Sequence, residues 1–136
     1  MLCWRAGVGQ LVLEIAESLR IPVLTDIEGK GVFPESHPLS LGVFGVGNRG
    51  NAHAYLSEPV DLLLTIGFRF DDTTTAGYAE VLRPEYGQLI QLDHDPNRIG
   101  RSYAPDLAMC ADLGRPLQLI QELLPTPTPP LLFHRS

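Results

Sequence analysis

Lysine occurs once in this 136-residue chain, at Lys30, and nine arginines join it against sixteen carboxylates, leaving a formal net charge of −6. So little positive charge, scattered instead of clustered, argues against a nucleic-acid surface. No apolar run approaches the ~18 residues that a membrane span needs, and the opening Met1 to Gly7 has too short an apolar core for a secretory signal. A soluble, cytoplasmic chain that meets neither nucleic acid nor membrane is the expectation. Cysteine is as scarce: Cys3 and Cys110 stand far apart among hydrophobic neighbours, which reads as two reduced core thiols and not a disulfide framework. With the four histidines they form no C-x-x-C, H-x-x-x-H or H-x-H pair, so no metal site is expected. A G-x-S-x-G elbow is missing too, and the adjacent acids Asp71 and Asp72 lie in a loop, where such pairs more often meet water. No catalytic residue is therefore assigned.

What the chain does contain is apolar content: 44% hydrophobic residues against 19% charged ones. That is a globular composition, and the length suits one domain burying about two thirds of the surface its unfolded form exposes. Pro125-Thr126-Pro127-Thr128-Pro129-Pro130 removes backbone donors and favours extended, solvated chain, so it reads as a linker. The expected organisation is a folded domain over residues 1–124 and a Pro-rich linker and tail over 125–136. Within the domain, Leu11, Leu13, Ile15, Ala16 and Leu19 recur near the helical period and then give way to Ile21 to Thr25, a strand. Further apolar runs at Asp61 to Ile66, Gln88 to Asp93 and Leu107 to Cys110 predict strands buried on both faces. Helices are expected at 48–57 and at 112–124, the latter capped by Asp112. Alternation of this kind predicts an α/β fold, a Rossmann-like parallel sheet of five or six strands with helices on both faces and a ligand crevice at the carboxyl ends of the strands.

The residues that follow each strand are therefore the candidates. Gly45-Val46-Gly47-Asn48-Arg49-Gly50 matches G-x-G-x-x-G and opens a helix, where free N–H groups could hold a phosphate; the alternative is a tight turn needing positive φ. Asp93-His94-Asp95-Pro96 closes a strand with an acid that could accept bonds from ribose hydroxyls, or that could cap the turn Asn97 to Gly100. Gly67-Phe68-Arg69-Phe70-Asp71-Asp72 offers a glycine for close approach, a guanidinium for phosphate or ring stacking, and two acids; the alternative is a surface Arg69–Asp71 ion pair.

Taken together, Thr25 to Leu39 with its G-K-G-x-F-P-E-x-H-P run, Leu41 to Gly45, Gly67 to Asp72 and Leu92 to Pro96 resemble the central domain of thiamine-diphosphate-dependent enzymes, closest to the acetolactate synthase branch. The likeness runs in order over about residues 5–124. It implies a six-stranded parallel domain set between two thiamine-binding domains, carrying FAD in a structural role in the acetolactate synthase branch and ADP in oxalyl-CoA decarboxylases. Carried over residue by residue, the resemblance places the dinucleotide along Gly7, Thr25, Asp26, Phe44, Gly45, Val46, Gly67, Arg69, Asp71, Asp93, His94 and Asp112.

The chain departs from that pattern in places. Gly47 stands where the FAD-binding branch commonly has His, which removes a ring contact, and the first strand, Met1 to Ala6, carries Trp4 and Arg5. No G-D-G followed by Asn occurs, and the domain with the activating glutamate is missing, so thiamine diphosphate and magnesium are expected only in a complete parent enzyme. The resemblance leaves several readings open. The chain is a nucleotide-binding module holding FAD or ADP, a scaffold or remnant with an empty crevice, or a subunit that completes a carboligase or decarboxylase with separate thiamine-binding domains. A NAD-consuming enzyme rests on the glycine match alone. Surfaces that flanking domains cover in the resembled enzymes would face solvent here, so a homo-oligomer is expected, with Val32-Phe33-Pro34 and Leu39 to Phe44 as the exposed apolar surface.

Overall fold

A computed structural model describes residues 8–45, 50–77, 80–84 and 87–124. The first helix, α1 (Val8–Leu19), turns its apolar stripe inward, burying Val8, Ile15 and Ala16. It ends where Arg20 takes a left-handed φ of 56° and the Ile21 amide donates back to the Ala16 carbonyl at 3.0 Å, a closure that satisfies one of the last free carbonyls. Next come β1 (Val23–Thr25) and β2 (Ser40–Val43), paired in parallel as a two-stranded sheet. A short helix, α2 (Asn51–Leu56), leads to β3 (Leu62–Ile66), and a single 3₁₀ turn at Glu80–Leu82 precedes β4 (Gln88–Asp93), β5 (Leu107–Cys110) and α3 (Gly114–Leu123). The strands β3, β4 and β5 form a second parallel sheet in that order.

Alternate side chains of β3 serve two different cores, as the period of two in a strand requires. Leu64, Ile66, Ile90 and Leu92 pack with Val8 and Ile15 of α1 and with Leu113 and Leu117 beside and on α3. On the other side Leu63 joins Phe44, Ala52, Leu56 and Leu82. Helices α1 and α3 thus cover one face and α2 with the 3₁₀ turn the other. The side-chain amide of Gln121 donates to Glu14, tying α3 to α1. Gln91 is buried on β4, yet its amide is satisfied at both ends: it donates to the Arg98 carbonyl and accepts from the Gly100 amide, each at 3.1 Å.

Several expectations need correction. The parallel α/β architecture holds, but the described strands form sheets of two and three, not one sheet of five or six. The expected first strand, Met1 to Ala6, lies outside the described residues, as do the linker and tail over 125–136 and Cys3. Ser40–Val43, outside the expected strands, is a strand: Val23 donates to the Leu39 carbonyl and Phe44 to that of Thr25, both at 2.8 Å, so pairing with β1 overrides a glycine-containing sequence of weak propensity. Strand β5 is exposed at all four positions because it is the edge of its sheet, and Cys110 on it is an exposed free thiol, not a core one. Phe33 and Phe44, expected on an exposed apolar surface, are buried. The large apolar side chains that do face solvent include Ile27, Leu62, Leu107, Met109 and Leu123.

At Gly87, just before β4, a Cβ would sit 2.2 Å from the Val60 carbonyl oxygen, with further backbone of Asp61 within 3 Å. No flexible side chain can yield there. Gly87→Ala is expected to destabilise the domain by about 1 kcal/mol or more, read from urea denaturation, because the backbone before β3 has to move. An unchanged midpoint would show that the β3–β4 register relaxes freely.

Candidate functional site

The carboxyl ends of the parallel strands carry two groups of candidate residues. The first surrounds the ends of β1, β2 and β3. Thr25 closes β1 and Asp26 follows it, buried, its carboxylate accepting from the Gly29 amide at 2.6 Å. Burial pushes the Asp26 carboxyl above its usual range; the Gly29 hydrogen bond opposes that, and the charges of Glu28 and Asp71 add to it. Phe44 follows β2 as a fully buried core residue whose ring stacks on His53 at 6.1 Å, and Gly45 comes next at φ 147°. A Cβ on Gly45 would lie 3.0 Å from the Thr73 carbonyl, so this position is reserved for glycine by both conformation and space.

Arg69 crosses between these loops. One guanidinium nitrogen meets Glu28 Oε1 at 2.7 Å and the Nε lies 3.4 Å from Asp71 Oδ2. The surface ion pair read as one alternative from sequence is therefore present, with Glu28 as a second and closer partner. Phe70, between Arg69 and Asp71, holds a left-handed φ of 55°, uncommon for a bulky residue and costing about 1–3 kcal/mol. It is held there by burial, by edge contact with Phe68 at 4.8 Å, by Tyr103 at 5.4 Å, and by the Ser102 hydroxyl donating to its carbonyl at 3.0 Å. Asp71 then accepts from the Thr74 amide at 2.8 Å and the Thr74 hydroxyl at 3.0 Å. The Thr74 amide bond is the main reason its carboxyl lies below the ordinary range, with Arg69 lowering it further.

The second group lies at the ends of β3, β4 and β5. Gly67 leaves β3 and donates to the Leu92 carbonyl at 2.8 Å, next to Asp93. Asp93 is fully buried. Its Oδ1 accepts from the Asp95 amide at 2.9 Å and lies 3.2 Å from His94 Nδ1, while Oδ2 has no hydrogen-bond partner among the described residues, the nearest cation being Arg98 Nη1 at 3.9 Å. The cap for the turn at Asn97 is Asp95, whose Oδ1 accepts from the Asn97 amide at 2.9 Å. The N-cap of α3 is Leu113 and not the expected Asp112; Asp112, one residue earlier, accepts from the Gly114 amide at 2.9 Å. Gly7 and Val46 lie outside the described residues.

For an adenine nucleotide this donor set divides in two. A buried carboxylate oxygen without a donor at the end of a parallel strand fits a ribose hydroxyl, which would replace Arg98 as its neighbour. The guanidinium suited to a phosphate is already held by two carboxylates. Among the described residues, no group of three or more His, Cys, Asp or Glu side chains could hold a metal ion, and no helix is long and apolar enough to cross a membrane.

Sequence reasoning missed Glu28 and Phe70. The Asp71–Thr74 spacing was a readable Asx signal, but nothing local links Glu28 to Arg69, 41 residues on. Because the carboxyl of Asp26 is raised, its contribution to stability is complete at acid pH and falls as pH rises through its folded value. Asp26→Asn keeps an acceptor for Gly29 and removes the buried charge. It is expected to raise the melting temperature near pH 7 by about 2–4 °C, after allowance for solvent screening, with the gain shrinking toward pH 4. A gain that grew toward acid would contradict this assignment.

The sequence profile of the thiamine pyrophosphate enzyme central domain matches residues 1–123. Among individual proteins, the chain is 35% identical over 121 residues to the acetolactate synthase large subunit of Pyropia yezoensis, covering 89% of this chain and 20% of that protein. It is 37% identical over 120 residues to acetolactate synthase 1, chloroplastic, of Zea mays, covering 88% and 18% respectively. The chain thus spans about a fifth of the length of the curated relatives it matches. The solved structure of a thiamine diphosphate-dependent 4-hydroxybenzoylformate decarboxylase from Rhodococcus jostii RHA1 superposes with a TM-score of 0.66 at 25% identity, over 93% of this chain and 24% of that one.

Proposed function

Because the chain belongs to the family of thiamine pyrophosphate enzyme central domains, we propose that it is the non-catalytic middle module of an acetolactate-synthase-like enzyme, binding FAD or ADP across the carboxyl ends of its strands. The observation that supports this best is Asp93: a fully buried carboxylate at the end of β4 with one oxygen lacking a donor among the described residues. Buried acceptors are almost always paired, so an unpaired one at a strand end suits a hydroxyl brought by a ligand. Asp93 would hold the ribose, with the backbone at Gly67 and Gly45 and the guanidinium of Arg69 toward the phosphates. The nucleotide would contribute structure, not redox chemistry; thiamine diphosphate and magnesium would belong to flanking domains.

A second reading has this chain completing a carboligase or decarboxylase in trans with separate thiamine-binding domains, most simply as part of an oligomer. The exposed Leu107 and Met109 on the edge strand β5 would then be covered.

The test is the ultraviolet-visible spectrum and mass of whatever co-purifies, followed by titration of the stripped protein with ADP and FAD. A released adenine nucleotide, or saturable binding of either ligand, is expected. Colourless protein giving no binding heat with either would overturn the nucleotide reading. Pure protein supplied with pyruvate, thiamine diphosphate and magnesium is expected to show no turnover, and measurable acetolactate formation would contradict the non-catalytic assignment.

A further inference from the structure

We propose that Glu28 is a built-in competitor for the phosphate end of this site, so that the domain recognises the adenosine part of a nucleotide while its own carboxylate screens out the diphosphate. The inference rests on the nucleotide reading above and deepens it.

Glu28 sits on the loop after β1, in the two-stranded sheet, whereas Arg69 follows β3 in the three-stranded one. Their 2.7 Å contact is the shorter of the two ion pairs Arg69 makes. The guanidinium has five N–H donors in a planar fork and is the natural partner for a phosphate, but here that fork already faces a carboxylate. The other guanidinium near the strand ends, Arg98, is likewise turned toward acids, Asp93 at 3.9 Å and Asp95 at 3.7 Å. An arriving diphosphate therefore meets Arg69 flanked by Glu28 and Asp71, with Asp26 close enough to feel the charge of both.

Glu28 is also the member of this group that can leave. Asp26 is anchored to the Gly29 amide and Asp71 to Thr74, so both carboxylates brace their own loops. The Glu28 and Arg69 side chains are each nearly half exposed, at 45% and 46%. Exposed pairs of this kind are weak, so a phosphate can displace Glu28, at a cost in affinity, while adenosine has no charge to contest. The consequence is a site that gains little from the phosphates of its ligand until the Glu28 charge is removed or turned away.

The experiment compares adenosine and ADP by calorimetry on the full chain, as wild type, Glu28→Gln, Glu28→Ala and the double variant Glu28→Gln with Arg69→Ala. In wild type, ADP is expected to bind no more than about threefold tighter than adenosine. Removing the Glu28 charge is expected to tighten ADP by about fivefold to tenfold and to leave adenosine unchanged, and the double variant is expected to lose that gain. If adenosine binds every variant and ADP gains nothing, Glu28 is no competitor while the nucleotide site stands. An equal gain for both ligands would mean that Glu28 acts through the fold and not through phosphate charge, which also overturns the proposal. Should neither ligand bind any variant at millimolar concentration, the nucleotide reading falls and the competitor with it.

Discussion

Replacing Phe44 by alanine is expected to cost about 3–5 kcal/mol of folding free energy, a large share of the roughly 5–15 kcal/mol that a domain possesses. The ring is fully buried and stacks on His53, and its cluster joins Ala52 and Leu56 of α2 to Leu82 of the 3₁₀ turn. Truncation removes apolar contact and leaves a cavity, and the backbone on one side is held by the Phe44 amide bond to the Thr25 carbonyl. The measurement is urea denaturation followed by circular dichroism, with Leu123→Ala as control. Leu123 is 85% exposed, so its loss should stay within about 0.5 kcal/mol. If Phe44→Ala cost no more than the control, the cluster between the two sheets would not be a core.

Asp93→Ala is expected to weaken ADP or FAD binding tenfold to a hundredfold while changing folding stability far less than Phe44→Ala. A carboxylate that accepts bonds from ribose hydroxyls contributes about 1.5–3 kcal/mol per charged hydrogen bond, and alanine removes the acceptor entirely. Within the domain itself the same carboxylate is poorly compensated. Among the described residues Oδ2 has no hydrogen-bond partner, and Oδ1 relies on the Asp95 amide and on His94. Its removal therefore ends a desolvation penalty as well as those contacts, and the two effects offset each other. Asp93→Asn separates charge from shape: it retains one acceptor and should fall between wild type and alanine in affinity. Equal ADP affinity in wild type and Asp93→Ala by calorimetry would remove Asp93 from the site. A collapse of the fold in both variants would reassign it to structure.

The contrast between these two residues explains why both stand among the strand-end candidates and yet differ in role. Phe44 directly follows β2 and Asp93 ends β4, each at the carboxyl end of its strand and each fully buried. One is satisfied by its surroundings and the other is not. An apolar ring among apolar side chains needs nothing further, whereas a carboxylate oxygen without a donor remains a demand that a ligand can meet.

Local chemistry determined much of this protein. Apolar periodicity set α1, and continuous apolar runs set β3 and β4, because a side chain's burial depends first on its own hydrophobicity and spacing. The strand-end position of Asp93 also followed from residue type and place, as did a carboxylate near the start of α3, although the N-cap there is Leu113 and not Asp112. The ordered set of motifs pointed to the family that the profile match supports. What the tertiary structure decided were the matters that depend on partners distant in sequence. Ser40–Val43 is a strand only because β1 offers it a ladder, and β5 is exposed only because it lies at a sheet edge. Phe33 and Phe44 are hidden because other segments fold over them. Arg69 is engaged because Glu28, from the other sheet, reaches it. Hydrophobic spacing is encoded along the chain and can be read along it, whereas pairing, burial and charge compensation are properties of distances in space, which the order of residues does not carry.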